Sequence, residues 1–320
     1  MQGKVYNIQK IERRVQMYPY ILMIFVVIFY AGNILTGKAI NDLPPFTIAF
    51  FRLFVAFIIL LPIACKRAVQ DRSLFLKHRK PFMVMTLTGV AFFNTFIYAS
   101  LQFTSATNVS VLETLIPVLT VILSSFVLKE HLMQLQKWGV ALSFIGALWV
   151  VIDGRIVQLT TIDWNIGDGI MIGAIVCWSI YSVVVKQVIH HFHPMAALLV
   201  MTGISLFTLL PFVAMEWLFL GIPDLMQMDY LGGFLYLGVF PSLIALLFYN
   251  VAVDRLGASK ASVFLNFLPV VTMIGAYLWL GETISYMQVI GATGVMAGVV
   301  LTTRSNRSQK DLVGLEEKVE

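Results

Sequence analysis

Two stretches of this sequence repeat one pattern and decide its fold: PVLTVILSSFVLKE, from Pro117 to Glu130, and PVVTMIGAYLWLGE, from Pro269 to Glu282. In each stretch the proline and the glutamate stand 13 positions apart. Glycines follow nine and 16 residues after each glutamate, and they are Gly139, Gly146, Gly291 and Gly298. One offset of 152 positions relates all four landmarks, so the chain is predicted to contain two tandem copies of one unit.

Upstream residues extend the repeat at slightly smaller offsets. The pair Leu61-Pro62 matches Leu210-Pro211 at an offset of 149, and Lys38 matches Lys186 at 148. Such small drifts are what short insertions in loops produce.

The composition indicates that each copy lies in a membrane. Of the 320 residues, 59% are apolar and only 12% are charged, whereas soluble domains carry about 25% charged residues. Apolar runs long enough to cross a bilayer, about 20 residues each, occur ten times. The predicted spans are 18–37, 45–65, 82–102, 108–128, 134–152, 167–187, 195–217, 230–252, 258–280 and 285–303.

Ten spans in two copies give five helices per copy, and an odd number makes the second copy enter the membrane from the opposite side. The sequence therefore predicts an all-α membrane protein with two inverted five-helix repeats, over 18–153 and 167–303. Residues 1–17 and 304–320 remain as a terminal segment and a tail. In transporters, inverted repeats place the substrate site near the midplane between the two halves.

The distribution of Lys and Arg predicts the orientation. With a cytoplasmic N-terminus, 19 of these residues lie in cytoplasmic segments, and only Lys38 and Arg155 lie outside. Because cytoplasmic loops are enriched in Lys and Arg, both termini are predicted to be cytoplasmic. The basic loop 66–80 and the basic tail suit anionic lipid of the inner leaflet.

A near-match to a nucleotide-binding loop is interpreted as accidental. GNILTGKA, from Gly32 to Ala39, has the glycines and Lys38 of a Walker A motif, with Ala39 in place of Ser or Thr. A true phosphate-binding loop follows a β-strand, and this one ends a membrane helix. In the repeat only Lys186 is kept, so both lysines are expected to snorkel to opposite interfaces, and no nucleotide partner is predicted.

The doubled proline, glutamate and glycine spacing resembles that of the drug/metabolite transporter superfamily, in its ten-helix branch of two EamA-type repeats. The short loops, Arg52 in the second helix and Trp178 in the sixth add to the resemblance, which covers residues 18–303. It implies a secondary carrier, often an exporter of amino acids or related metabolites, that works without a cofactor. It does not define the substrate.

Glu113 and Arg52 are the main candidates for the chemistry. Pro117 lacks an N–H, so the carbonyl of residue 113 loses its helical partner beside a carboxylate inside the membrane; Pro269 is the equivalent break in the repeat. Glu113 is either a site for a substrate amine or a proton, or a structural or gating partner of Arg52. Both lie about 8–10 Å below the outer ends of their helices, and the repeat replaces both, by Met201 and Leu265.

Other polar and aromatic residues inside the spans suit a cavity that binds a small molecule. They are Asn33, Asn94, Tyr98, Trp178, Tyr181, Asn250 and Asn266. Each Asn or Tyr alone is more typical of a hydrogen bond between helices than of a ligand contact. For Trp178, filling a helix interface explains the residue at least as well as stacking on a substrate. The glycines Gly139, Gly146, Gly291, Gly294 and Gly298 are expected to permit close helix packing, and Glu130 and Glu282 to cap the fifth and tenth helices.

The remaining motifs predict no further partner. His190, His191 and His193 lie without a neighbouring Cys or carboxylate, so a solvated loop is favoured over a metal site. Cys65 and Cys177 give no disulfide framework, and nothing in the sequence favours nucleic acid or an enzymatic cluster. The leading hypothesis is an exporter coupled to protons or working by exchange, and the alternatives are an uncoupled facilitator or channel, and then a receptor or enzyme. The sequence leaves the substrate, the direction, the coupling ion and the oligomeric state open.

The charge distribution predicts the result of a topology experiment. A reporter fused after residue 160 should lie outside the cell, and one fused to the C-terminus should lie in the cytoplasm. The measurement is the activity of paired reporters that are active on opposite sides of the membrane. The same side for both fusions would contradict the ten-span arrangement.

Overall fold

The computed structural model describes residues 2–128, 134–151, 165–256, 261, 264–298, 300 and 301, with the backbone alone for 2–17. Within these ranges all regular structure is helical and no strand is present. We number the ten principal helices α1 Gln2–Ala39, α2 Pro45–Gln70, α3 Arg79–Leu101, α4 Ala106–Glu113 with Ile116–Leu128, α5 Gln134–Val151, α6 Ile166–Val188, α7 Pro194–Leu220, α8 Met228–Leu256, α9 Leu265–Leu280 and α10 286–298.

Seven of these helices are long and apolar enough to cross a membrane: α1 from Tyr18 onward, α2, α3, α4, α6, α7 and α8. In hydrocarbon the backbone must satisfy its own hydrogen bonds, and a helix does so within one segment. The predicted multi-pass helical membrane protein is therefore confirmed. The count of ten spans and the side of each terminus stay predictions. We call the end of the bundle that holds the α1–α2 and α3–α4 turns the outer end, after the side that the charge distribution predicts.

Proline shapes α2 and α7 in the same way. Pro45 and Pro194 each occupy the first turn, where a missing N–H has no cost, and Pro62 and Pro211 lie inside the two helices. The helices pack together along their lengths. Phe46 stacks on Phe212 with ring centroids 4.9 Å apart.

Both α3 and α8 contain a π-helical turn, over Thr86–Phe92 and Phe240–Ala245. The offset of 152 carries the first turn onto residues 238–244, so the two turns overlap in the repeat. Each one inserts an extra residue into the helix and redirects the side chains near it. In α3 the turn also brings backbone close to α6, because a Cβ on Gly89 would lie 2.1 Å from the Tyr181 ring.

The two helices that hold the prolines of the repeated pattern are interrupted just before them. In α4 the regular helix ends at Glu113 and resumes at Ile116, with tighter turns from Thr114 N–H to the Val111 carbonyl and from Leu115 N–H to the Leu112 carbonyl. In α9 a 3₁₀ turn, Leu265–Phe267, precedes the helix that contains Pro269. The break divides α4 into a short outer segment and a longer remainder.

Small residues set the contact between α5 and α10. A Cβ on Gly146 would lie 2.7 Å from the Val295 backbone nitrogen and 2.9 Å from the Gly291 carbonyl oxygen. A Cβ on Gly298 would lie 2.6 Å from the Gly139 carbonyl oxygen. These backbones approach so closely that only glycine fits between them.

Two expectations about charged residues need correction. The prediction that Glu282 caps α10 is wrong: its carboxylate accepts the N–H groups of Ala106 and Thr107 at the start of α4. A Ser285–Gln288 capping pair begins α10 instead. Glu130 lies outside the described residues.

The snorkelling prediction for Lys38 is also wrong. Its Nζ donates to the carbonyls of Leu101 and Thr104, at 2.8 and 2.9 Å, and so caps the end of α3. Lys186, its partner in the repeat, is exposed.

The close α5–α10 contact generates a stability prediction. Gly146→Ala places a methyl group against backbone that cannot move away, and we expect a loss of about 1–3 kcal/mol. Gly232→Ala is the matched control, because a Cβ there meets no atom within 4 Å and Ala favours the helix. The temperature of thermal unfolding in detergent should fall for Gly146→Ala and not for Gly232→Ala. An equal fall for both variants would contradict the packing argument.

Candidate functional site

A cavity inside the bundle lies between α1, α2, α3, α4, α6 and α8. The π-helical turns of α3 and α8 contribute to its wall, through Gly89 and Val90 and through Pro241 and Ser242, whereas a third π-helical turn, Ala276–Leu280 of α9, does not. The other lining residues are Tyr30, Asn33, Arg52, Leu53, Phe93, Asn94, Glu113, Trp178 and Leu246. The wall therefore combines polar, charged and aromatic groups, as sites for small molecules usually do.

Arg52 is the cation of this cavity, and the residue is only 3% exposed. Its Nε donates to Ser242 Oγ at 2.7 Å. Its Nη1 donates to Tyr98 Oη at 2.6 Å and to Asn33 Oδ1 at 3.1 Å. Three neutral oxygen atoms thus hold the side chain, but none of them neutralises its charge, and Nη2 has no partner among the described residues.

Asn33 connects the polar groups around Arg52. Its Oδ1 also accepts the Tyr98 hydroxyl at 2.8 Å, and its Nδ2 donates to Asn94 Oδ1 at 3.1 Å. These bonds fix the Asn33 amide, so its acceptor faces the guanidinium. The predicted residues Asn33, Asn94 and Tyr98 therefore form one network with Arg52.

Glu113 lies across the same cavity at the end of the outer segment of α4. It is 5% exposed, and its carboxylate has neither a hydrogen bond nor an ion pair among the described residues. The ion pair found in the described ranges joins Arg67 to Asp71 at 3.0 Å. Arg52 and Glu113 thus share a cavity without a direct ion pair in this conformation.

A second polar pair repeats the first with its residue types exchanged. Tyr98 donates to Asn33 at 2.8 Å, between α3 and α1, and Tyr181 donates to Asn250 at 2.7 Å, between α6 and α8. The offset of 148 relates Asn33 to Tyr181, and the offset of 152 relates Tyr98 to Asn250. The same type of hydrogen bond therefore occurs at positions that the two offsets relate.

Trp178 forms the aromatic side of the cavity and is 2% exposed. Its ring centroid lies 4.3 Å from that of Phe93, and Tyr30 meets it edge-on at 5.8 Å. Tyr181 and Tyr249 pack on it at 5.0 and 5.1 Å. A planar or apolar part of a ligand would find a rigid surface there.

Comparison with known proteins identifies the family of the chain. The EamA-like transporter family matches the chain twice, over residues 17–152 and 165–304. The chain belongs to this family. It is accordingly a multi-pass transporter of the cell membrane and not an enzyme.

Relatives of this EamA-like transporter include two Bacillus subtilis (strain 168) proteins described as uncharacterized transporters. YyaM is 29% identical, with 84% of this chain and 90% of YyaM aligned. YetK is 24% identical, with 95% and 92% aligned. A "probable terminal-alkyne amino-acid exporter" of Streptantibioticus cattleyicolor is 27% identical, over 62% of this chain and 64% of its own. One crystal structure, 16% identical, matches 91% of this chain and 98% of its own with a TM-score of 0.62 and shares the fold.

Four predicted residues of this EamA-like transporter, Tyr98, Tyr181, Asn250 and Asn266, are not among the residues that line the cavity. Asn266, in the 3₁₀ turn of α9, is 4% exposed, and neither atom of its amide has a partner among the described residues. Ser242, in contrast, was missed by the sequence analysis and holds Arg52. Its preceding Pro241 is the signal that marks an irregular turn in that span.

The histidine loop does not form a metal site in the described part of the chain, where no three metal-ligating side chains converge. The His191 ring instead lies 4.5 Å from that of His78 and 4.0 Å from that of His190. Partial desolvation, and then the charges of His191 and Lys77, lower the pKa of His78 from its usual value. His78 and His191 thus form a contact between the α2–α3 connection and the α6–α7 connection.

The different partners of the two cavity charges generate a stability prediction. Arg52→Met removes three hydrogen bonds to buried groups and should cost about 3 kcal/mol or more. Glu113→Gln removes a charge that has no described partner, so it should leave the free energy of unfolding unchanged or raise it. Thermal unfolding of both variants and of the double variant in detergent gives the comparison. If the two single variants lost equal stability and the double variant recovered it, a direct ion pair would instead be revealed.

Proposed function

We propose that this EamA-like transporter exports a small zwitterionic metabolite, an amino acid or a related compound, by alternating access. The observation that carries the proposal is the pair of unneutralised charges in one buried cavity. Among the described residues, Arg52 Nη2 and both carboxylate oxygens of Glu113 have no hydrogen-bond partner. Buried charges of this kind are stabilised by partners of opposite sign, and a bound zwitterion supplies both.

The wall of the cavity supports an apolar or aromatic side chain on that substrate. Trp178, Phe93 and Tyr30 lie beside the two charges. The substrate carboxylate would accept from Arg52, and its ammonium group would donate to Glu113. The name of the Streptantibioticus relative, an amino-acid exporter, is consistent with this class.

We infer that the two matched stretches are inverted five-helix repeats. When the two repeats exchange conformations, the cavity opens to the other side of the membrane. The overlapping π-helical turns and the exchanged Tyr–Asn pairs support the repeat, since both features occur at equivalent positions. An odd number of helices per repeat gives opposite orientations, and such halves provide two related states. In this scheme protonation of Glu113, or a second substrate molecule, displaces the first.

Transport by purified protein in proteoliposomes tests the function. Radiolabelled amino acids with aromatic or large apolar side chains should be taken up, and uptake should rise with an imposed pH gradient or with substrate preloaded on the other side. Uptake that never exceeds equilibration under either condition would indicate an uncoupled facilitator. The absence of uptake for every amino acid tested would refute the proposed substrate class.

Competition between substrate analogues then shows which substrate group Arg52 binds and which group Glu113 binds. For a transported amino acid, the decarboxylated amine and the deaminated acid should each compete roughly 10- to 100-fold less well, since each loses one charged hydrogen bond. Glu113→Gln should weaken competition by the amino acid and leave the deaminated acid unaffected. The control Asp224→Asn changes an exposed carboxylate that accepts the Met226 N–H of its own loop, and it should leave transport intact.

A further inference from the structure

The turn between α3 and α4, residues 101–108, is bound by side chains from several other parts of the chain. We call it the outer turn. Lys38 and Asn41 hold its beginning, through the Leu101 and Thr104 carbonyls. Gln102 of the turn also donates its Nε2 to the Leu43 carbonyl at 3.2 Å. The further partners outside the turn that are found among the described residues come from the second half of the chain.

Four residues of the second half bind the outer turn. Asn165 donates to the Phe103 carbonyl, Asp168 accepts the Thr104 hydroxyl at 2.9 Å, and Gln288 donates to Asn108 Oδ1 at 2.8 Å. Glu282 makes the largest contribution. Its carboxylate accepts Ala106 N–H at 2.8 Å, Thr107 N–H at 3.3 Å and the Thr107 hydroxyl at 3.0 Å.

A carboxylate at this position binds the unpaired N–H groups and the positive end of the α4 dipole. The bond differs from an ordinary cap because Glu282 lies 175 residues further along the chain than Thr107. It therefore stabilises a contact between the two halves of the molecule rather than α4 alone.

The outer turn continues directly into the cavity. Glu282 binds the start of the segment Ala106–Glu113, and Glu113 is its last residue. The helix break at Thr114 and Leu115 separates this segment from the rest of α4. The segment of about two turns is therefore bounded by the Glu282 hydrogen bonds at one end and by the interruption of the helix at the other.

We propose that Ala106–Glu113 is the outer gate of the transporter and that Glu282 is its latch. Release of Glu282 lets the segment pivot at the break and opens the cavity outward, so the position of Glu113 is linked to the state of the gate. The inference rests on the proposed transport function for its role, but the opening itself is measurable without any substrate.

The chain offers a matched control for the latch. Glu216 accepts Phe46 N–H, Thr47 N–H and the Thr47 hydroxyl at 2.9, 2.8 and 2.9 Å. The chemistry is the same and the site is also at the outer end. The capped helix, α2, is unbroken from Pro45 to Gln70 and packs on α7 along its length, so loss of this cap does not free a separate segment.

Cysteine labelling tests the latch. A Val90→Cys reporter in the cavity, with Cys65→Ser and Cys177→Ser to remove background, is exposed to a membrane-impermeant cationic methanethiosulfonate added outside intact cells. Glu282→Gln should increase the labelling rate about tenfold, corresponding to about 1.4 kcal/mol for the weakened cap. Glu216→Gln should change it less than twofold. An unchanged rate in folded Glu282→Gln, or equal increases in both variants, would overturn the proposal.

A cross-link tests the opposite direction. Asn108→Cys and Gln288→Cys replace a hydrogen-bonded pair across the gate, and their oxidation should hold it closed. Labelling of the reporter from outside should then fall, transport should stop, and a reductant should restore both. Full transport by completely cross-linked protein would overturn the proposal that this segment is a gate. If labelling responds as expected and no amino acid is carried by wild-type protein, the proposed function fails and the gate stands.

Discussion

A guanidinium inside a hydrocarbon layer cannot obtain hydrogen bonds from its solvent, and much of this bundle is arranged to meet that requirement. Arg52 of α2 receives oxygen atoms from Asn33 of α1, Tyr98 of α3 and Ser242 of α8. Four helices are thereby fixed around one charge. The π-helical turn of α8 has a direct purpose in this arrangement, since it carries Ser242, which supplies the oxygen atom for Nε.

The membrane class and several helix positions were predictable because they depend on local properties. The apolar run 45–65 became α2, Pro45–Gln70, and 195–217 became α7, Pro194–Leu220, since proline at the first turn marks where each begins. The partner of Glu282 was not predictable. Local capping rules point to the helix that follows, whereas the actual partner, α4, is adjacent only in the folded molecule.

The candidate site was predicted in part for a similar reason. Polar residues are rare inside membrane spans, so Asn33, Asn94, Tyr98 and Glu113 stood out from the apolar background, and the structure gathers them around Arg52. Ser242 did not stand out, because serine is common in spans and its role depends on an irregular turn. Asn266 satisfied the same criterion as the others and still lies elsewhere, since rarity indicates a constraint on a residue but not its location.

The exchanged pairs Asn33–Tyr98 and Tyr181–Asn250 have an evolutionary consequence. After a gene duplication each copy can drift, provided that one partner still donates and the other still accepts. Selection then acts on the bond and not on either residue. A column-by-column alignment of the two halves scores both positions as mismatches, although the interaction is kept. In this chain, pairs of positions reveal a correspondence between the halves that single positions miss.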